Sequence, residues 1–499
     1  MVMPMSASSC AINSQQCVLP LNVHRCASGS YQNVARDGFL CLESWRLSGR
    51  RGGGLCQHVK VGRKGRKVVS MVGGVQVQER SKDGVAKEDA VQTVVIVGAG
   101  LAGLATALAL HRVGVKALVL EQSGGLRTEG TSLSLFPNAW RALDALGVAD
   151  KLRGSFINIT GARMRAPDGK VIKEFQNSDL SGGPHELRAV ERQSLLRVLA
   201  EALPSDTIMF NSRVKNIRKP RDMQSLTEVE LENNTVIRTK VLVGCDGARS
   251  VVASWMGRTE PKPVGQTAIR GLSDFKSNHN FEPRVEQIIG QGVRAGLVPV
   301  TKNKVYWFVV FNTTPSVPSR ISDPNKIKEE ALSYIQGWPS DIQECIRNTP
   351  LESFSRSNLR DRWSIPLVTP QQAANGITLA GDAAHPMTPN LAQGGCTSLE
   401  DSIILTRKLC EALRTEKKEE DPSVLAKRIS SALIEYESER WARTFRLTVK
   451  SFVFGSLLAL DSSLICFFRD NVALPIAFRA SVVFGSSKFD CGALPPPLD

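Results

Sequence analysis

The stretch VVIVGAGLAG at 94–103 constrains this chain more than any other. A run of β-branched residues stops at three glycines, Gly98, Gly100 and Gly103, spaced GxGxxG. Gln92–Val97 reads as a short apolar strand, Leu101–Val113 as an Ala- and Leu-rich helix, and Ala117–Glu121 as a second strand, so the three form a βαβ unit. In such a turn the first glycine allows the tight bend. The second lets backbone approach a pyrophosphate, and the third lets the helix pack closely on the strand. The free N–H groups of the first helical turn (Leu101, Ala102, Gly103) and about half a positive charge there suit a phosphate. Glu121 follows Gly103 by 18 residues. A carboxylate at that strand end accepts from an adenosine ribose and repels a 2′-phosphate, so the turn suits FAD or NAD and not NADP.

Two later stretches repeat the strand-then-acid pattern. VLVGCDGARS at 241–250 ends a strand in Asp246-Gly247, and ITLAGDAAHPMTP at 377–389 ends one in Gly381-Asp382. Ligands of open α/β sheets bind beyond the carboxyl ends of strands. NAD does not require three such ends, whereas FAD, with its ribityl chain and large ring, can use them all.

Between these motifs the pattern turns to alternating strands, as in ARMRAPDGKVIKEF from Gly161 and over residues 264–312. Helices are expected at Asn138–Leu146, Glu191–Leu203 and Lys326–Ile335, a strand over Ile208–Ile217, and mostly helix from Thr397 onward. The expected class is α/β: a nucleotide-binding domain of Rossmann type interleaved with a β-sheet domain for substrate, with C-terminal helices. The segments divide as 92–160, 186–260 and 355–445 for the first domain, 161–185 and 261–354 for the second, and 446–499 for a helical extension. Residues 452–468, FVFGSLLALDSSLICFF, are too short for a span of about 20 apolar residues and contain Asp461. They read as a buried or capping helix, with shallow peripheral contact with a bilayer as the alternative.

Charge is uneven. Of the net +15, residues 1–70 carry +8, from ten Lys or Arg against Asp37 and Glu43. This Ser-rich, acid-poor leader, about residues 1–72, reads as a transit peptide, to plastid rather than mitochondrion because it lacks a strong amphipathic Arg helix. A basic tail for nucleic acid, helped by KVGRKGRK at 60–67, is the rival reading. Cysteines and histidines are scattered with no CxxC or HExxH spacing, so no metal site is expected.

The three ordered motifs, with QGG at 393–395 and an acidic pair in PNLAQGGCTSLEDS, resemble the class A flavoprotein monooxygenases of the para-hydroxybenzoate hydroxylase fold. The likeness runs from about Val94 to Ala442 and is nearest to plant monooxygenases similar to zeaxanthin epoxidase and salicylate hydroxylase. The resemblance implies noncovalent FAD, NAD(P)H as electron donor, and a C4a-hydroperoxyflavin that hydroxylates or epoxidises a small or lipophilic organic molecule using O₂. Flavin carries the chemistry, so no protein residue is expected to be catalytic. By resemblance Gly98, Gly100 and Gly103 hold the pyrophosphate and Glu121 the ribose. Arg192, and Arg127 with it, contact FAD. Gly381-Asp382 bind the ribityl hydroxyls, Asp246-Gly247 lie by the pyrophosphate, and Pro386, Gly394 and Gly395 lie by the ring. Arg270 faces flavin or substrate, or makes a surface ion pair.

One departure stands out: the family arginine three residues after the motif serine is Ala253 here, with Arg249 the candidate to compensate. Asp246 and Asp382 could equally be helix N-caps. His385 reads as structural rather than as a base, and Cys396 as a small buried residue. A same-fold flavin reductase and a non-catalytic FAD-binding sensor or scaffold are the rival functions.

Overall fold

A computed structural model describes residues 91–127, 131–180, 183, 185–313, 321–364, 373, 375–414 and 421–498, and the expected leader lies outside them. Glycine-terminated β1 (Gln92–Val97) leads into the Leu101–Arg112 helix and then β2 (Ala117–Leu120), as the sequence implies. The strand's alternation is visible in its packing. Val94 and Ile96 enter the core on one face of the sheet, Val95 and Val97 the core on the other. The helix is buried nearly all round because it is sandwiched between that sheet and the 21-residue helix Gly394–Arg414.

The described residues hold sixteen strands, numbered in chain order. After β1 and β2 come β3 (Ser132–Leu135), β4 (Gly161–Arg165), β5 (Val171–Gln176), β6 (Arg188–Glu191), β7 (Ile208–Met209) and β8 (Val214–Arg218). Then come β9 (Thr227–Leu231), β10 (Val236–Gly244), β11 (Lys262–Asp274), β12 (Arg284–Ile289), β13 (Val293–Pro299), β14 (Lys304–Asn312), β15 (Ser355–Asp361) and β16 (Ile377–Leu379). The first sheet runs β7-β2-β1-β10-β9-β8, with β16 beside the carboxyl half of β10. The bonds among β7, β2, β1, β10 and β16 are all parallel. The second sheet runs β15-β11-β14-β13-β12-β4-β5, and β3 pairs with β6 alone.

The second sheet has two unlike faces. One carries Trp307, Val309, Ile269 and Leu297 under the helices Pro324–Tyr334 and Ser340–Arg347. The other, with Val298, Ile289, Tyr306 and Leu272, packs against the core of the first sheet. The motif segments and the strand-rich segments therefore share one body, as the interleaved pattern implies.

Four expectations need correction. Ile208–Ile217 is two strands, because Asn211 adopts a left-handed φ of 55° and breaks the extended run. Residues 355–361 form β15 of the second sheet, so the nucleotide-binding segment does not start at 355. The boundary at 446 falls inside one continuous helix, Pro422–Leu458, and residues 486–498 are an irregular strap rather than helix. Arg141, Arg407 and Arg414 hold that strap by donating to its backbone carbonyls. Last, the run 452–468 is only partly core: Gly455, Leu458 and Cys466 are buried, but Leu464, Ile465, Phe467 and Phe468 face outward.

Candidate functional site

The first sheet brings all three motifs together. Val97 of β1 is in register with Gly244 of β10, and Gly244 with Leu379 of β16. The next residues on each strand, Gly98, Cys245-Asp246 and Ala380-Gly381-Asp382, therefore emerge side by side at the carboxyl edge. This juxtaposition of segments about 140 residues apart follows from parallel pairing alone.

Each glycine of the first turn has a different role. Gly98 has a φ of 102°, and a side chain there would meet the Cys245 carbonyl at 2.8 Å. At Gly103 a Cβ would lie 1.9 Å from the Gly98 carbonyl oxygen, so only glycine lets the helix sit this close to the strand. Gly100 has no such neighbour, with the Cys245 carbonyl 3.9 Å away, which fits a position kept bare for a ligand. Leu101 and Ala102 are buried, and Ala102 packs against Gly381 of the third motif. Their contribution to a ligand can come only from backbone N–H groups.

Glu121 is also buried, and its oxygens are already engaged. Ala99 N donates to Oε2 at 2.8 Å and Ser123 N to Oε1 at 2.9 Å. It thus shapes the glycine turn directly. Each carboxylate oxygen keeps a second acceptor position, which a ribose hydroxyl could use.

Asp246 and Asp382 separate the cap reading from the ligand reading. Asp246 accepts from Val251 N at 2.6 Å through Oδ2, while its Oδ1 is buried without a partner. The formal N-cap of the helix Val251–Trp255 is Ser250, whose Oγ accepts from Ala253 N at 2.8 Å. Asp382 caps nothing. It sits in a 3-10 turn, Gly381–Ala383, and no side-chain hydrogen bond holds it among the described residues. Its side chain is open to solvent. Even so, crowding by protein raises its pKa, against the pull of His385 and Arg192. Its Oδ1 looks toward Gly394, the first residue of the Gly394–Arg414 helix, whose N-terminus favours a negative charge. That helix begins three residues before the expected Thr397, which makes Gly394 and Gly395 its half-buried amino end.

Arg192 joins this group. Its Nε is buried and unpartnered, and burial lowers its pKa, helped by nearby Arg127 and opposed by Asp382. Arg127, Arg192 and Asp382 lie in three distant stretches of sequence, and the fold places them within electrostatic reach of one another. Two cations and an orphaned guanidinium N–H within electrostatic reach of Asp382 fit a group with phosphates and hydroxyls, as FAD has.

Below the third motif lies a network that the sequence reading missed. Asp401 is fully buried. It accepts from Gly381 N at 2.8 Å, from His385 Nε2 at 2.6 Å and from Arg440 Nε at 2.7 Å. Buried Glu400 takes Arg440 Nη2 at 2.7 Å, Arg443 Nε at 2.6 Å and Asn138 Nδ2 at 2.5 Å. Burial works against Asp401's charge, but His385 and Arg440 outweigh it and hold the carboxyl well below its ordinary range. His385 is therefore a buried partner of Asp401, as its structural reading holds. Arg362 ties the two later motifs together, with Nη1 donating to Ala383 O at 2.8 Å and Nη2 to Ala248 O at 3.4 Å.

Arg270 lies on the second sheet's inward face, opposite Phe308 in β14, and donates to Ser357 Oγ at 3.3 Å. It makes no ion pair among the described residues, so the surface ion pair is set aside. The same face holds Arg294, buried, which donates to Asn390 Oδ1 in the turn before Gly394. Burial, with Arg270 nearby, pushes the Arg294 pKa down to about 10. Nothing in the sequence distinguished Arg294 from a surface residue. Pro386 is buried and its carbonyl accepts from Arg362 N at 3.0 Å.

The family model for the FAD binding domain matches residues 91–424. The chain is 35% identical over 417 residues to Monooxygenase 2 of Arabidopsis thaliana, covering 82% of this chain and 100% of that one. It is 32% identical over 364 residues to the chloroplastic zeaxanthin epoxidase of an Oncidium hybrid cultivar, covering 70% of this chain and 53% of the other. Klebsiella pneumoniae HpxO, solved with FAD and uric acid, shares the fold with a TM-score of 0.66 at 21% identity, over 79% of this chain and 97% of that one. The chain belongs to the FAD-binding family of class A flavin monooxygenases. It is an FAD-dependent oxidoreductase of the para-hydroxybenzoate hydroxylase fold.

Proposed function

We propose that the enzyme takes electrons from NAD(P)H and inserts one oxygen atom of O₂ into a small or lipophilic organic substrate, by hydroxylation or epoxidation. The observation that carries this is the meeting of Gly98, Asp246 and Asp382 at the shared carboxyl edge of β1, β10 and β16, with Arg192 within electrostatic reach of Asp382 and Arg127. Bound FAD supplies the redox and oxygen chemistry. The chain's own residues bind it, orient it and shield it from water. The glycine turn and first helical turn take the pyrophosphate, Arg192 and Arg127 offset its charge, and Asp382 receives the ribityl hydroxyls. The substrate would lie against the Arg270, Tyr306 and Phe308 face of the second sheet, near Pro386 and Gly394-Gly395. Relatives named as hydroxylase and epoxidase support either outcome, among them 3-hydroxybenzoate 6-hydroxylase of Klebsiella oxytoca.

NAD(P)H is given no second Rossmann turn among the described residues and would visit the flavin transiently. Ala253, in place of the usual arginine, is buried inside a short helix, whereas Arg249 is exposed beside Asp246. A rate of flavin reduction that falls at least about tenfold in Arg249→Ala would assign it the lost arginine's role. Two results test the activity itself. The purified protein should be yellow and release intact FAD on denaturation, because the charge and hydroxyl contacts are all noncovalent. With substrate, NAD(P)H loss should match O₂ uptake and a product one oxygen heavier. NAD(P)H oxidation without O₂ uptake would replace the oxygenase with a reductase, and a colourless protein that cannot be reconstituted would refute both.

The leader supports plastid import, and a chloroplastic relative agrees with it. Residues 1–75 fused to a reporter should carry it to plastids. A nuclear reporter would favour the nucleic-acid tail.

A further inference from the structure

We infer that the C-terminal elements form a membrane-docking surface that lies in the plane of an anionic bilayer. Half of the large hydrophobic side chains exposed in the described residues fall in one short stretch: Phe452, Val453, Leu464, Ile465, Phe467, Phe468, Val472, Ile476 and Val482, each 37–69% exposed. Single exposed hydrophobics need no explanation, but a cluster does.

The stretch is held firmly from below. Cys466 Sγ donates to Leu460 O at 3.2 Å. Buried Arg469 donates to Leu460 O at 3.2 Å, to Gly290 O at 3.0 Å and to Asp470. Leu474 and Phe478 point into the core, and the Phe478 ring packs on Phe175 with centroids 5.2 Å apart. One side of the segment is thus fastened to the second sheet, and the other side presents Leu464, Ile465, Phe467 and Phe468 to solvent. The fastening explains why the exposed residues do not fold inward.

Two observations select a lipid surface over a protein, and a third sets its orientation. Positions 464, 465, 467, 468, 472 and 476 carry no hydrogen-bonding side chain, whereas protein interfaces carry about one hydrogen bond per 100–200 Å². The exposed flanks are cationic: Arg446, Lys450 and Arg479 make no ion pair among the described residues, while Asp470 is spent on Arg469 and leaves Asp461 as the exposed acid. Aromatic and aliphatic side chains rimmed by Lys and Arg are what a headgroup boundary accepts. No single described helix is long and apolar enough to cross a membrane, and Pro422–Leu458 meets Ser463–Ile476 at 115°. Such a bend cannot lay both arms along the bilayer normal, so the surface lies on the membrane. Gly290, which fastens it, is four residues from Arg294 on the proposed substrate face, so a lipid-dissolved substrate would have a short path in.

The test uses the full chain loaded with FAD and vesicles of phosphatidylcholine and phosphatidylglycerol at about 3:1. The wild type should float with the vesicles. The variant Leu464→Ser/Phe467→Ser/Phe468→Ser should partition at least about tenfold less, with the flavin spectrum unchanged. Lys450→Glu/Arg479→Glu should weaken binding to these vesicles and leave binding to pure phosphatidylcholine unaltered. If the triple variant loses its flavin spectrum, Phe467→Ser alone is read instead. Absence of wild-type binding, or equal binding by the serine variant, overturns the inference, since the basic leader is common to both. A wild-type dimer that the serine variant turns into monomer overturns it in favour of a second copy of this chain.

Discussion

Asp382→Ala should leave the enzyme slow even when FAD is in large excess, whereas Glu121→Ala should regain most of its turnover. Both losses weaken FAD binding. A charge-assisted hydrogen bond is worth roughly 1.5–3 kcal/mol, about 10- to 150-fold in affinity. The structure makes the two sites unlike. Glu121 accepts from Ala99 N and Ser123 N, so it holds the glycine turn, at the adenosine end of the proposed cofactor. Mass action with excess FAD can restore occupancy there. Asp382 is unencumbered, faces the amino end of Gly394–Arg414 and, in the proposed binding mode, would lie where the ribityl chain meets the ring. Without it the ring sits loosely against the substrate, and small misplacements are costly in rate. Hydrogen peroxide released per NAD(P)H should rise in Asp382→Ala and stay near wild type in Glu121→Ala. Equal rescue of both variants with unchanged peroxide would remove Asp382 from the ribityl region.

The parts of this site legible in the sequence were those set by local chemistry. A glycine required by a φ of 102°, or by a carbonyl 1.9 Å from its missing Cβ, leaves a mark that spacing alone reveals. So does a β-branched run ending in an acid. Their adjacency could be inferred because parallel strands must meet in one sheet. What stayed hidden depends on distant partners. Arg440 reads as one more charge on a helix, yet it is buried against Glu400 and Asp401, 40 and 39 residues earlier. Arg294 looks like a strand-end surface residue, and its burial comes from the turn at Asn390. The run 452–468 failed in the other direction. Its hydrophobicity suggested core, because composition cannot say whether any element is left to cover it. Asn211 could have been read, since Asn tolerates the left-handed region that ends a strand.

Asp401→Asn should be the most destabilising conservative change in the molecule, on the order of 3–5 kcal/mol, the cost of breaking a buried ion pair from one side. An amide has one acceptor oxygen where the carboxylate takes three donors, Gly381 N, His385 Nε2 and Arg440 Nε. Its NH₂ group would face one of those donors, and Arg440 would rely on Glu400 alone. The pH dependence has a definite sign. Burial opposes ionisation of Asp401, but His385 and Arg440 prevail and its pKa in the fold is lowered. A depressed carboxylate contributes stability that is fully present above its unfolded pKa of about 3.9 and is lost as pH falls through the lower folded value. Urea midpoints of wild type and Asp401→Asn should therefore differ by a constant margin from about pH 5 to 8 and converge only in stronger acid. Because Gly381 N is one of the three donors, the variant should also hold FAD more weakly at neutral pH, with Asp382 itself intact. A margin that instead opened as pH fell below 5, or a variant as stable as wild type at pH 7, would mean that Asp401 is not ionised in the fold and that Arg440 is held by Glu400 alone.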